Sequence, residues 1–282
     1  MSFENAESYF EGNNYTKVYT KILMDEFYEW INWRKDGNDS LLDIGSGPRN
    51  TIREVLYPLL PINFSRLVLS DISGPMVELQ KREFKGYDRV SCEVLDIGTQ
   101  ISDDMSKKLG TFDHVTSFFC LMWVADQQIA MDNVYKLLKP GGDCFLVIVA
   151  DSPIFDAICS VCEKPRWKEY FIGWKDFYVY PYTEIDKSKA KGLKFMEMAG
   201  FVDTKAELRE NFFEFGCDEH KENFLRSMPN RFSKDVTDKE EEEIYQERLE
   251  KFDEFKLGEY RDNTGRINKP NTYLILYGKR PK

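Results

Sequence analysis

The sequence predicts a doubly wound α/β sheet, and three observations carry that prediction. Three short apolar runs each end in an acid: Leu41–Asp43, Leu67–Asp71 and Val90–Asp96. They are spaced as successive β-α-β units. Gly45 and Gly47 follow the first run at once, as when a buried strand stops in a tight loop under a ligand. Further apolar runs then alternate with helical periodicity, the pattern of a parallel sheet covered on both faces.

Taken in order, a leading helix is expected over 15–34, with Val18, Ile22, Phe27, Trp30 and Trp33 on its buried side. Strand one is Leu41–Ile44. A helix over about 51–60 leads to strand two, Leu67–Ser70. Pro75 suits the first turn of the next helix, where no amide is needed. Strand three is Val90–Leu95 and strand four Asp113–Phe119. A helix over 126–138 ends at the turn signal Lys139-Pro140-Gly141-Gly142. Strand five, Asp143–Ala150, is nearly all apolar, as a central parallel strand should be. Next comes an aromatic stretch over 167–182, containing Trp167, Tyr170, Phe171, Trp174, Phe177, Tyr178, Tyr180 and Tyr182. It reads either as a pocket lining or as the packed core of an insertion. A helix Lys187–Ala199 ends at Gly200, a helix C-cap. Strand six is expected over 205–215, acidic helix over 218–257, and strand seven over Thr272–Tyr277. The acidic helix reads as a solvated face, with a lid as the alternative. No repeat or low-complexity linker interrupts the chain. Residues 1–282 therefore read as one domain: a cofactor-binding half to about 150, then substrate-side insertions with strands six and seven over 151–282.

Composition narrows the function. The net charge is −10, which argues against a nucleic-acid or anionic-membrane partner. No apolar run approaches the roughly 18 residues of a membrane span. The first residues lack the basic start and apolar core of a signal peptide. The six cysteines are scattered and read as free thiols, so a cytoplasmic location is expected. Cys159 and Cys162 make a single CxxC, and with two histidines in the chain they do not make a zinc site.

The acids point to the ligand. A dinucleotide loop presents amides to a pyrophosphate, which an acid at Asp43 would repel. That opposes a dehydrogenase. S-adenosylmethionine has no phosphate and carries ammonium and sulfonium charges, so Asp43 suits it. Asp71 lies 24 residues after Gly47, near the spacing at which a second-strand acid hydrogen-bonds a ribose diol. Asp96 is placed to receive an adenine amino group. The competing reading is three helix caps on an unrelated sheet. Ligands in such sheets sit beyond the carboxyl ends of the strands. That gathers Asp43, Gly45, Ser46, Gly47, Asp71, Asp96 and the start of 118–123, with Phe118. Ile72 and Ile97 each follow an acid and are placed to sandwich the adenine, with Met76 closing that side. Helix–sheet packing is the alternative for Ile72 and Met76.

The run Asp43 to Gly47, then Asp71, then Asp96-Ile97, resembles the motifs of class I S-adenosylmethionine-dependent methyltransferases. Arg66-Leu67-Val68 with Ser70-Asp71-Ile72-Ser73 and Met76-Val77 resembles the second motif of the arthropod juvenile hormone acid O-methyltransferases. So do Val94-Leu95-Asp96-Ile97, Phe112-Asp113-His114-Val115, Trp123 with Asp126-Gln127, Ser152-Pro153-Ile154-Phe155-Asp156, Trp167 and Pro181-Tyr182. The likeness covers most of the chain and thins after about residue 215. It implies a Rossmann-like sheet of seven strands with the last antiparallel. It also implies O-methylation of a small apolar carboxylic acid of the farnesoic or juvenile hormone acid type, with Trp123 and Thr16 at the acceptor. An acid is already ionised at neutral pH, so its methylation needs no general base.

Three positions depart from the family pattern as aligned here. Its third glycine is Arg49, which either crowds the cofactor loop, points outward, or pairs with the cofactor carboxylate. Its histidine before the tryptophan is Met122, and its first-helix glutamine is Thr16. Two carboxylate-binding donors are thereby lost. Methylation of another small molecule, or a silent S-adenosylmethionine- or terpenoid-binding protein, stay open as alternatives.

Overall fold

The computed structural model describes residues 14–47, 51–175, 182, 184–212, 218–226, 228, 232–257 and 270–282. Each apolar run becomes a strand: β1 (Ser40–Ile44), β2 (Arg66–Asp71), β3 (Val90–Val94), β4 (Phe112–Phe118), β5 (Leu138–Asp151), β6 (Val202–Asn211) and β7 (Asn271–Lys279). They form one sheet in the order β3-β2-β1-β4-β5-β7-β6. β1 to β5 pair in parallel, and β7 runs antiparallel between β5 and β6. The strand order reverses between β1 and β4, which opens a crevice at their carboxyl ends.

The helices are α1 (Asn14–Phe27), α2 (a π-helical stretch Ile52–Leu56 closed by an α-helical turn Tyr57–Leu59), α3 (Gly74–Glu83), α4 (Asp103–Leu109), α5 (Gln127–Leu137), α6 (Pro153–Cys162), α7 (Ile185–Ala199), α8 (Asp218–Arg226) and α9 (Asp238–Leu257). Ser73, Ser102 and Asp126 cap α3, α4 and α5 by accepting from the Met76, Met105 and Ile129 amides, which satisfies amides that a helix start leaves open. Gly200 closes α7 at φ 100°.

Alternate residues of β7 show how both faces are covered. Tyr273 and Tyr277 face α1 and its extension: Tyr273 lies 4.4 Å from Tyr19 and Tyr277 6.0 Å from Trp30, ring to ring. Leu274, Leu276 and Gly278 face α7. A Cβ on Gly192 would come within 2.9 Å of Leu276, and one on Gly278 within 2.6 Å of Met196. Glycine at these two positions lets helix and sheet approach closely.

Several boundaries differ from expectation. α1 stops at Phe27 and continues as a 3₁₀ turn, Tyr28–Trp30. Its buried stripe is Tyr15, Tyr19, Leu23, Met24 and Phe27, whereas Val18 and Ile22 are 49% and 48% exposed. The aromatic residues at positions 15 and 19 set the helix phase, and the two aliphatic residues fall outside it. The Lys139–Gly142 turn signal is absorbed into β5, where the register shifts against β4 between Phe112 and His114. A Cβ on Gly142 would meet the Asp113 carbonyl at 2.7 Å, so the glycine serves close strand pairing. β6 begins at Val202, and residues 213–215 of the expected strand lie outside the described residues. Trp167, Phe171 and Tyr182 of the aromatic stretch are fully buried. Trp167 bonds Glu247 of α9 and Tyr182 bonds Gln127 of α5. They form the core of an insertion. Phe177, Tyr178 and Tyr180 lie outside the described residues. α9 buries Ile244, Tyr245, Arg248 and Phe252 and packs on α6, with its remaining faces in solvent.

At the amino end of the sheet, His114 sits between two acids. Its Nδ1 lies 2.6 Å from Asp143 and its Nε2 2.8 Å from Asp39. Burial alone would push the imidazole down, but the Asp143 and Asp39 hydrogen bonds outweigh it and hold the ring up at about 9. The Asn32 and Arg34 amides donate to the same two carboxylates, which ties the end of the leading segment to the sheet.

Candidate active site

β1 ends at Ile44, and the chain turns through Gly45 at φ 69° and Gly47 at φ 58°. Both angles belong to the region that glycine enters without steric cost. A Cβ on Gly45 would sit 2.2 Å from the Cys120 sulfur, so position 45 is also closed to any side chain by packing. Ser46 fastens the loop from within. Its amide donates to the Ser70 carbonyl, its hydroxyl donates to the Asp43 carbonyl and accepts from the Ser70 amide. Gln80 of α3 donates to the Gly47 carbonyl at 2.7 Å. No motif marks Gln80; it is found because α3 folds back over the loop.

Asp71 ends β2 and receives two amides, Gly47 at 3.0 Å and Ser73 at 2.9 Å. Each of its oxygens keeps acceptor capacity. Asp96 receives the Gly98 amide at 2.9 Å. Asp43 receives the Thr116 hydroxyl at 2.6 Å. Among the described residues, none of these three acids has a cationic partner. Burial therefore acts with little opposition: it pushes Asp43 up to about 7 and raises Asp71. The Cys120 thiol is raised as well, by burial and then by the neighbouring acids.

A cavity of about 490 Å³ opens over these strand ends. Its walls include Gly45, Gly47, Asp71, Ile72, Met76, Asp96, Ile97, Phe119, Cys120, Trp123 and Asp126. The volume is that of a cofactor site, and the uncompensated acids fit a ligand bearing positive charge. A smaller cavity of about 40 Å³ adjoins it, sharing the walls Phe119 and Trp123. Tyr15, Thr16, Met122, Val149, Ser152, Ile154, Phe155, Phe224, Met228, Asn271 and Tyr273 complete its lining. Phe119 holds the partition in a left-handed conformation, φ 54°, with its amide bonded to the Val147 carbonyl at 2.9 Å. A bulky residue persists at such an angle when its surroundings over-determine it.

The structure brings together most of the expected site. Gly45, Gly47, Asp71, Ile72, Met76, Asp96 and Ile97 share the larger cavity, and Thr16 and Trp123 meet in the smaller one. Three expected residues are not on a cavity wall. Asp43 is buried beneath the loop, because Thr116 and the Ser46 turn cover it. Ser46 points inward to its backbone partners. Phe118 turns to the other side of β4 and packs 6.0 Å from Phe145, since neighbouring residues of a strand face opposite ways; Phe119 and Cys120 take its place. Arg49 lies outside the described residues. Tyr15, Asn271 and Tyr273 share the smaller cavity with Thr16, and no sequence signal marks them, because they come from distant parts of the chain with no shared spacing.

Residues 42–144 match the model of a methyltransferase domain. The chain is 35% identical over 236 residues to the juvenile hormone acid O-methyltransferase of Drosophila melanogaster, covering 79% of this chain and 77% of that one. It is 30% identical to the Bombyx mori enzyme of the same name, covering 82% and 81%. The fold resembles that of the YcgJ protein of Bacillus subtilis, with a TM-score of 0.56 at 14% identity, covering 92% of this chain and 98% of that one. With its strand-end acids, glycine loop and seven-stranded sheet, the chain belongs to the juvenile hormone acid O-methyltransferase family of class I, S-adenosylmethionine-dependent methyltransferases.

Proposed function

We propose that this protein methylates the carboxylate of a small apolar acid of the farnesoic or juvenile hormone acid type. One observation carries the reading: a cavity rimmed by uncompensated acids and a nearly apolar cavity meet at a single partition, Phe119 and Trp123. S-adenosylmethionine, when bound, supplies an electrophilic methyl group. In this reading Asp71 accepts from the ribose hydroxyls and Asp96 from the adenine amine. Ile72, Ile97 and Met76 enclose the adenine, Gly45 and Gly47 give the backbone its close approach, and Asp43 and Ser46 support the loop from below. Trp123 and Thr16 wall the acceptor. The acceptor oxygen is ionised at neutral pH, so these residues orient it and exclude water rather than remove a proton.

The smaller cavity takes a carboxyl end as it stands. A longer apolar tail requires Met228 and Phe224 to move aside, and methionine adapts readily to such a change. The division of labour is a cofactor side built mainly from residues before 150 and an acceptor side completed by residues after 151 together with α1. The names of the fly and silkworm relatives support the acid acceptor. The five free cysteines among the described residues support a reducing, cytoplasmic setting.

The test is methyl-ester formation from a panel of terpenoid and fatty acids under saturating S-adenosylmethionine. Trp123→Ala should lower turnover by loosening alignment, with cofactor affinity nearly intact. Met122→His restores a donor and should raise turnover by up to roughly tenfold. If wild type and Met122→His bind the cofactor yet make no ester from any acid, the reading fails.

A further inference from the structure

α5 carries two side-chain amides on its buried stripe, where a helix packed on a sheet ordinarily places apolar residues. Gln127 is 3% exposed and Asn133 1%, in a stripe shared with Ala130, Met131, Val134 and Leu137. Each amide directs its N–H bonds to a pair of backbone carbonyls. The Gln127 Nε2 donates to the Leu121 carbonyl at 2.7 Å and the Val124 carbonyl at 2.6 Å. The Asn133 Nδ2 donates to the Ile97 carbonyl at 2.9 Å and the Thr99 carbonyl at 2.7 Å. Carbonyls only accept, so these contacts fix which way both amides face. The Gln127 Oε1 then accepts from the Tyr182 hydroxyl at 3.0 Å, and Tyr182 is fully buried. The four carbonyls belong to two segments that wall the cavities. Residues 97–99 border the larger one. The turn 121–124 puts Met122 on the smaller one, Val124 on the larger one and Trp123 on both. Neither amide lines either cavity itself, so each acts through the segment it holds.

A buried amide is costly unless it is bonded. Here both are bonded to irregular backbone at the rim of a site, the arrangement that locks a wall in one position. We propose that α5 is a positioning helix with one amide for each substrate. Gln127 sets the Trp123 wall against the acceptor, and Asn133 sets the 97–99 wall against the adenine. The acceptor half of this assignment rests on the acid-acceptor reading. Tyr182 steadies Gln127 from behind, which ties the insertion to the place where the two cavities meet. The two segments also touch, since a Cβ on Gly98 would lie 2.9 Å from a Val124 methyl group. A small part of each disturbance therefore crosses to the other segment.

Gln127→Met and Asn133→Leu remove each amide at nearly constant volume. Wild type and both variants are compared by amide hydrogen exchange, by calorimetry with S-adenosylhomocysteine, and by methyl-ester formation from farnesoic acid under saturating S-adenosylmethionine. Gln127→Met should speed exchange at Trp123 and Val124, whose amides are bonded within the turn. It should lower kcat by about tenfold through misalignment, with cofactor affinity moved by less than about threefold. Asn133→Leu should speed exchange at Gly98, whose amide is bonded to Asp96. It should weaken S-adenosylhomocysteine binding by about tenfold, with kcat at saturation moved by less than about threefold. Tyr182→Phe deletes only a hydroxyl and should lower kcat by about threefold. Tyr182→Phe and Asn133→Ser carry the comparison where the larger change does not fold. A merely structural role would raise exchange throughout the chain and move kcat and cofactor affinity together in both variants. That outcome overturns the proposal, as does unchanged exchange at both segments. If wild type makes no ester, yet exchange and cofactor affinity divide between the variants as stated, the two clamps stand and the methyl-transfer reading falls.

Discussion

At the amino end of β1 and β4, Asp39 and Asp143 close on the two nitrogens of His114, and Asp113 is held by Lys139. At the carboxyl end of the same two strands and their neighbour β2, Asp43 and Asp71 are buried as well, yet among the described residues they meet only hydroxyls and amides. Burying charge is costly in both places. At the amino end the protein supplies the countercharge itself, so the acids hold structure together. At the carboxyl end no described residue supplies it: burial raises both acids, and in the proposed reading the cofactor's positive charge meets this edge. The same residue type, a few residues apart on one strand, is architectural in one place and, in the proposed reading, serves the cofactor in the other.

The largest test of this contrast is at His114. His114→Ala leaves Asp39 and Asp143 buried without their cation and should cost about 3–5 kcal/mol of stability, measured by urea unfolding. Cofactor affinity of the folded fraction should not move. A loss below about 1 kcal/mol would show that the pairing is not what holds this end.

Asp71→Ala probes the other end. It should weaken S-adenosylmethionine binding by about 1.5–3 kcal/mol, the range for hydrogen bonds to a charged group, read by calorimetry. Unchanged affinity in the folded variant would remove Asp71 from the ribose role. Part of any loss will come from the Gly47 loop, which Asp71 also holds.

The smallest effect concerns pH, and here the two ends separate by window. The folded-state value of Asp43 is raised from 3.8 to about 7, so the native protein holds a proton that the unfolded chain has released. Stability of the ligand-free protein should therefore fall as pH rises from about 4 to about 7. His114 is raised from 6.5 to about 9, and its contribution is complete below 6.5 and lost as pH rises through 9. Saturating cofactor brings cationic charge to the carboxyl end, so it should flatten the lower limb and spare the upper one. Asp43→Asn should flatten the lower limb without cofactor, adding on the order of 1–2 kcal/mol at pH 8. A lower limb that survives in Asp43→Asn would assign it to another group.

Much of the larger cavity's wall was legible in the sequence because its information is local. An apolar run, an acid and a glycine loop occupy consecutive positions, and strand periodicity carries them to one edge of the sheet. Asp71, Asp96, Ile97 and Gly47 reach that wall on these signals alone. Local signals failed where facing matters. Phe118 and Phe119 are adjacent and equally apolar, and the exact end of β4 with the left-handed turn at Phe119 decides which one meets the cavity. Val18 and Ile22 suggested a helix face that Tyr15 and Tyr19 took over. The smaller cavity was the least legible part. Tyr15 and Tyr273 stand 258 positions apart, and no spacing rule links the first helix to the last strand.

The place of β7 has a consequence for the order in which the protein is made. It follows the other six strands in sequence, yet it lies between β5 and β6 and contributes Asn271 and Tyr273 to the smaller cavity. Chains emerge at about 5–20 residues per second and fold from the amino end, so the residues that wall the larger cavity are synthesised before β7 exists. During that interval the β5 edge awaits its partner, and the smaller cavity lacks two of its walls. Docking of one antiparallel strand then completes the sheet and that cavity together. In the proposed reading, a nascent chain is thus equipped for its cofactor before it has a place for the molecule it modifies.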